Sequence, residues 1–483
     1  VTMTGGDAIK RVPTGINGFD QIALGGLPAC RSTLVSGTTG SGKTLFAVEF
    51  LARGITTFDE PGVFVTFEET SADIRRNSAS LGFTIDRWEG AGKWAFVDVS
   101  ASLGEEESAV GAYDFGALLS RVGHAVRRTG ARRVAVDSLG SIFLRFADVG
   151  IVRHELARIA GALEELGVTS VVTAERPEEY DGVTRYGVEE FVFDNVMILR
   201  NVLRRQRRSR TIEIVKFRGA QHRTGEWVFT IDGREGIVVV PIAFLASRET
   251  ASSARVSSGN AELDRMCGGG FFRDGIVLVS GPSGAGKTLT GLAFTAAGVA
   301  AGERCLHWSF DETREQLVRN AGGWNLDLAA MEASGLLRIV SGYPEAASLE
   351  DHFLEIRRAV EEFAPARLVV DPLSALERVA SPKALLDFVL ALTAILRRRE
   401  ITTLYVSAPG GRFTPVDPPV IAGLVDISIM FRYTERDDEI RRAIAVLQSR
   451  GSAHDHRIRD VTIDGTGMHI GEGMRNGTPD GAK

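Results

Sequence analysis

Cysteine is nearly absent from this chain: three residues, Cys30, Cys267 and Cys305, in 483. No two of them form a Cys-x-x-Cys pair, which argues against a zinc ribbon and against a disulfide framework. Long apolar runs are missing too. The least polar stretch, residues 291–302, is rich in glycine and alanine and too short to cross a bilayer. Residues 1–11 are polar and lack the apolar core of a signal peptide, so a soluble, cytoplasmic protein with no membrane partner is expected. There is no excess of positive charge either. A formal net charge of −6 argues against a surface that holds nucleic acid mainly by charge, leaving only a local basic groove open. The length suggests two or three domains, each able to bury its own core.

What the chain does have, twice, is a phosphate-binding motif. Gly37-Thr38-Thr39-Gly40-Ser41-Gly42-Lys43-Thr44 and Gly281-Pro282-Ser283-Gly284-Ala285-Gly286-Lys287-Thr288 both match the P-loop pattern. Each follows a short apolar strand (Thr33-Leu34-Val35-Ser36; Val277-Leu278-Val279-Ser280) and opens an apolar helical stretch. The glycines let backbone N–H groups turn inward as an anion nest at a helix N-terminus. Lys43 and Lys287 are expected to reach the β- and γ-phosphates, and the Thr44 and Thr288 hydroxyls to serve Mg²⁺. The expected ligands are a nucleotide and magnesium.

The repetition extends beyond the loops, at a near-constant period of about 240 residues. Each half has a strand followed by paired acids, Glu68-Glu69 and Asp311-Glu312, then an apolar strand ending in aspartate, Asp137 and Asp371. Alternating strands and helices read as α/β units with a mainly parallel central sheet, which places all these groups at C-terminal strand ends. The expected boundaries are a first domain at 1–245, a linker at 246–256, a second domain at 257–470 and a flexible tail at 471–483. Asp137 and Asp371 stand where a magnesium-supporting aspartate is expected; the alternative is a helix-capping acid. Glu68, Glu69, Asp311 and Glu312 are candidates for orienting or deprotonating the attacking water, or else ordinary acids at a helix start. Asp311 is one methylene shorter than Glu68 and so reaches less far from its strand.

Clustered cations close each half. Lys216 and Arg218 share one strand face and are followed by His222; Arg450 is followed by His454 at the same spacing. In a ring these cations could neutralise γ-phosphate charge on a neighbour's nucleotide; otherwise they are a solvated hairpin end. The arginine-rich run 204–210 lies between apolar strands without interleaved aromatics, so an exposed hairpin loop or subunit contact is expected there rather than a nucleic-acid site.

The opening Thr14-Gly15-Ile16-Asn17-Gly18-Phe19-Asp20, the P-loops, Phe67-Glu68-Glu69 and Lys216-Phe217-Arg218-Gly219 with His222 together resemble the KaiC family, circadian-clock ATPases of the RecA superfamily, over roughly residues 8–470. The resemblance implies two RecA-like domains, a two-tiered hexamer with ATP between adjacent subunits, and a regulatory protein partner. It implies hydrolysis in the first tier by Glu68 and Glu69, with Lys216 and Arg218 contacting a neighbour's nucleotide. It further implies that Asp311 acts as the base for autophosphorylation in the second tier. The chain departs from the family at three places. Ala422 and Gly423 stand where the paired Ser and Thr acceptors are expected, and nothing recommends Ser407 or Thr414 instead. Gln448 replaces the second lysine, and the tail is shorter than the family's. Two alternatives stay open: a RecA-like motor acting on DNA, and a kinase using other acceptors.

Overall fold

The computed structural model describes residues 9–100, 115–138, 140, 148–180, 182–184, 187, 189–204, 207–240, 252–408, 420–436 and 439–473. The chain divides into two compact units, residues 1–241 and 242–483. Each is an α/β domain built on a nine-stranded, mainly parallel sheet flanked by helices. The first unit holds β1 (Arg11–Val12), β2 (Leu27–Pro28), β3 (Ser32–Gly37), β4 (Gly62–Thr66), β5 (Trp94–Asp98) and β6 (Arg133–Asp137), then β7 (Thr169–Glu175), β8 (Asn195–Arg204), β9 (Arg207–Phe217), β10 (Glu226–Asp232) and β11 (Gly236–Val239). Its sheet runs β5-β4-β6-β7-β3-β8 in parallel and continues through β9, β10 and β11 antiparallel.

The parallel strands read as continuous apolar runs because both sheet faces are covered. Val35, Phe64, Ala135 and Val171 pack with Phe46, Phe50 and Leu51 of the P-loop helix Lys43–Phe58. Their strand neighbours Leu34, Val63, Val134 and Val172 belong to a second core with helices Phe115–Thr129 and Val149–Glu165. Burying each large apolar side chain contributes roughly 1.5–3 kcal/mol, so both faces drive the fold.

The second unit repeats this order. It holds β12 (Arg255–Val256), β13 (Phe271–Phe272), β14 (Ile276–Ser280), β15 (Cys305–Ser309), β16 (Leu337–Ser341) and β17 (Arg367–Asp371), then β18 (Thr402–Ser407), β19 (Ile427–Arg436), β20 (Glu439–Ser449), β21 (Arg459–Asp464) and β22 (Gly467–Gly473). The sheet order is β16-β15-β17-β18-β14-β19-β20-β21-β22.

Three expectations change. Arg255 and Val256, placed in the linker, form β12 and pair with β13 as Arg11 and Val12 pair with β2; residues 246–251 lie outside the described residues. The tail was expected to start at Gly471, but β22 runs to Gly473, whose register partner is Arg459; residues 474–483 lie outside the described ones. The described residues of the arginine run are strand rather than loop. Arg204 and Arg207 are paired strand residues, Arg208 Nη1 donates to the Asn201 carbonyl at 2.8 Å, and Arg210 belongs to β9. Arg205 and Gln206 are outside the described residues.

A buried arginine recurs in both units. Arg133 is fully buried, pairs with Glu60 at 2.7 Å and donates to the carbonyls of Pro13 and Phe50. Arg367 pairs with Glu303 at 2.6 Å and donates to the carbonyls of Ser257 and Phe294. Gly54 and Gly298 make room: a Cβ on either would lie 2.6 Å from the arginine's Cδ. Each guanidinium thus ties the segment before the P-loop to the P-loop helix.

Candidate functional site

The P-loop strand β3 lies between β7 and β8, and β14 lies between β18 and β19, so each loop emerges mid-sheet. Gly42 and Gly286 are the N-caps of the helices that follow, with φ of 100° and 111°, and neither supplies a side-chain cap. The first N–H groups of each helix therefore stay available for an anion. Lys43 Nζ donates to the Thr38 carbonyl at 3.0 Å, and Lys287 Nζ to the Pro282 carbonyl at 2.7 Å. Burial lowers both lysine pKa values. Thr38, Thr39, Gly40 and Ser41, like Ser283, Gly284 and Ala285, form the turns between strand and helix.

Thr44 Oγ1 donates to Asp137 Oδ2 at 2.8 Å, and Thr173 donates to Asp137 Oδ1. Burial raises the Asp137 pKa; it pushes Asp371 up to about 7, opposed chiefly by a hydrogen bond from Thr288. Asp371 Oδ2 is buried without a partner. A desolvated carboxylate beside a threonine hydroxyl suits a cation held mainly by phosphate oxygens and water, as magnesium is. Among the described residues, no group of three or more metal-ligating side chains comes together.

The acids follow from backbone pairing. Phe67 N donates to the Asp137 carbonyl at 3.0 Å and Phe310 N to the Asp371 carbonyl at 2.8 Å, which brings each acid turn beside its aspartate. The second acids match: Asn77 donates to Glu69 at 3.1 Å and Asn320 to Glu312 at 3.0 Å. The first acids do not. Glu68 accepts from the Ser138 hydroxyl at 2.8 Å, and burial raises its pKa. Asp311 instead accepts from Arg378 at 2.9 Å.

In the second unit, a cavity of 430 Å³ brings Ser283, Lys287, Thr288, Asp311, Glu312 and Asp371 together. Trp324, Arg442 and Ile463 also line it, and the sequence reading did not find them. Arg442 Nε donates to the Gly284 carbonyl at 3.0 Å, and its cross-strand partner Tyr433 donates to the Ser283 carbonyl at 2.9 Å. The cross-strand pair Asn201 and Arg210 meets the Gly40 carbonyl in the same way, at 3.2 and 3.4 Å. The only available signal was an arginine repeated at matching hairpin positions.

The closing cations are engaged by their own chain. Lys216 Nζ donates to the carbonyls of Glu190 and Phe193 at 3.1 and 2.8 Å, and Arg218 pairs with Asp194 at 3.2 Å. The His222 ring meets Phe217 edge-on at 5.4 Å. Arg450 donates to the Gly423 carbonyl at 2.8 Å, Gln448 to the Val425 carbonyl at 3.2 Å, and the rings of His454 and His456 lie 4.2 Å apart. Ala422 is buried, Gly423 is exposed, and a Cβ on Gly423 would meet none of the described residues within 4 Å. Ser407 is buried at the end of β18, and Thr414 lies outside the described residues.

A family profile described as "ATPase: KaiC" matches this sequence twice, over residues 12–243 and 256–475. The circadian clock protein KaiC3 of a Synechocystis species is 49% identical over 482 residues, covering 98% of this chain and 94% of its own. The circadian clock oscillator protein KaiC of Synechococcus elongatus is 45% identical over 472 residues (97% and 90%). That of Thermostichus vulcanus is 44% identical over 470 residues, with the same coverage.

Proposed function

This chain belongs to the KaiC family of ATPases, and from that premise we propose that it is an ATP-hydrolysing ring whose first half turns over nucleotide. The second half binds ATP chiefly to hold the assembly together. The ring is a homo-oligomer, a hexamer by family likeness, in the cytoplasm, and its nucleotide state controls binding of a regulatory protein in a clock-like or signalling circuit. The observation that carries this reading is the difference between the first acids. Glu68 keeps a pKa raised chiefly by desolvation and, among the described residues, hydrogen-bonds the neutral Ser138 hydroxyl, which suits a group that must take a proton. Asp311 is paired to a guanidinium.

Hydrolysis forms a bond from the water oxygen to the γ-phosphorus and breaks the bond to the β,γ-bridging oxygen. Glu68, assisted by Glu69, orients the water and receives its proton. Lys43 leaves the Thr38 carbonyl for the phosphates, and a neighbour's Lys216 and Arg218 offset charge on the transferred group. Thr44 and Asp137, and likewise Thr288 and Asp371, would hold magnesium, which supplies charge neutralisation at the phosphates.

Autophosphorylation at the family's position has no acceptor here, because Ala422 and Gly423 carry no hydroxyl. A DNA-acting role loses support, since Arg208 and Arg210 donate to carbonyls of their own chain. Turnover and intact mass on one purified sample test the proposal. Glu68→Gln/Glu69→Gln is expected to lower turnover by roughly 10²–10⁴-fold, while Asp311→Asn leaves it within about twofold and no sample gains phosphate mass. A phosphate adduct that disappears in Asp311→Asn would defeat the reading in favour of a kinase.

A further inference from the structure

The second unit carries a charge constellation that its own acid pair does not account for. Arg378 ends a short 3-10 turn, Leu373–Arg378, which begins two residues after Asp371 at the tip of β17. Its Nη2 lies 2.9 Å from Asp311 Oδ1, and its Nε lies 2.7 Å from Glu345 Oε1. Glu345 belongs to another 3-10 turn, Pro344–Ala346, just beyond the edge strand β16. One guanidinium therefore joins the loop after the edge strand to the first acid of the nucleotide cavity.

A carboxylate that accepts a proton from water must be free to turn an oxygen toward that water. Arg378 donates to Asp311 Oδ1 at 2.9 Å, which engages that oxygen and fixes the direction of the carboxylate. Among the described residues, Glu68 instead hydrogen-bonds the uncharged Ser138 hydroxyl. The side-chain length compounds the effect. An aspartate held by an arginine at its own turn reaches less far into the cavity than a glutamate would.

We propose that Arg378 is a positioning residue that latches Asp311 and holds down hydrolysis in the second unit. This rests on the reading above that turnover belongs to the first half. Asp311, Arg378 and Glu345 are each about half exposed, so the latch contributes little to stability. Its effect is on where the carboxylate sits and which way its oxygens face. When released, Asp311 accepts the proton of a water whose oxygen bonds to the γ-phosphorus as the bridging oxygen departs with ADP.

The test uses the full chain with Glu68→Gln/Glu69→Gln as background and reads ATP turnover. Adding Arg378→Gln is expected to raise kcat at least about fivefold over that background, with KM for ATP within about twofold. Arg378→Lys retains a cation and is expected to stay near background, and Asp311→Asn added to Arg378→Gln abolishes the gain. A purely structural arginine would not give a gain that depends on Asp311. If the background is silent and Arg378→Gln leaves it silent, the latch alone is wrong. If the background keeps wild-type turnover with Arg378 intact, both the latch and the assignment of turnover to the first half fall.

Discussion

At the strand position where the first unit has Phe64, the second has His307, buried and with no partner on either ring nitrogen. Burial pushes its pKa down to about 4. The unfolded chain binds that proton near pH 6.5, so the stability it forfeits is absent above pH 6.5 and grows as pH falls toward 4. At pH 5 the loss is about 2 kcal/mol. The helix position that carries Ala47 in the first unit is Gly291 here, and the Cβ it lacks would lie 3.9 Å from the His307 ring. His307→Phe is therefore expected to fit, to flatten the acid limb of the second unit's stability curve and to raise its melting temperature at pH 5. Denaturation between pH 5 and 8 checks it; an unchanged pH dependence would refute it. The same scale shows what the sequence could reveal. Lys43, Thr44, Glu68 and Asp137 were legible because each follows its strand at a fixed short offset. Arg378 was not, because its pairing with Asp311 spans 67 positions and arises only when two loops meet.

Between single residues and the whole chain stand the devices that each unit repeats. The buried arginines were invisible in the sequence, since an arginine that opens a strand reads as a surface charge. Only the packed helix reveals Gly54 beneath Arg133 and Gly298 beneath Arg367. Gly54→Ala is expected to force the guanidinium off Glu60 and to destabilise the first unit by roughly 1–3 kcal/mol, with the second unit unaffected. Peptide-resolved hydrogen exchange reads this directly, and uniform loosening of both units would contradict it. The short strands β1 and β12 escaped notice for a related reason. Two residues carry no periodicity, and Arg255–Val256 is a strand only because Phe271–Phe272 lies opposite. Clustered charge suggests a loop, yet Arg210 belongs to a strand, where its cross-strand pairing with Asn201 brings both side chains to the Gly40 carbonyl.

For the molecule as a whole, duplication was plain from order and period, and the two matching sheets follow it strand for strand. If nucleotide joins subunits, a ligand at about 1,000 times its Kd adds about 4 kcal/mol to the assembled state. Stripping ATP and magnesium is thus expected to shift the protein toward smaller species in light scattering, and Lys287→Ala to do so even with ATP present. An assembly indifferent to both treatments would remove the second half's proposed role. The backbone around Gly423 carries a longer consequence. Among the described residues, nothing stands within 4 Å of where a side chain would begin, so no described neighbour bars a hydroxyl-bearing side chain there. The spot has room for a hydroxyl-bearing side chain, so Gly423→Ser or Gly423→Thr is expected to leave the fold as it is.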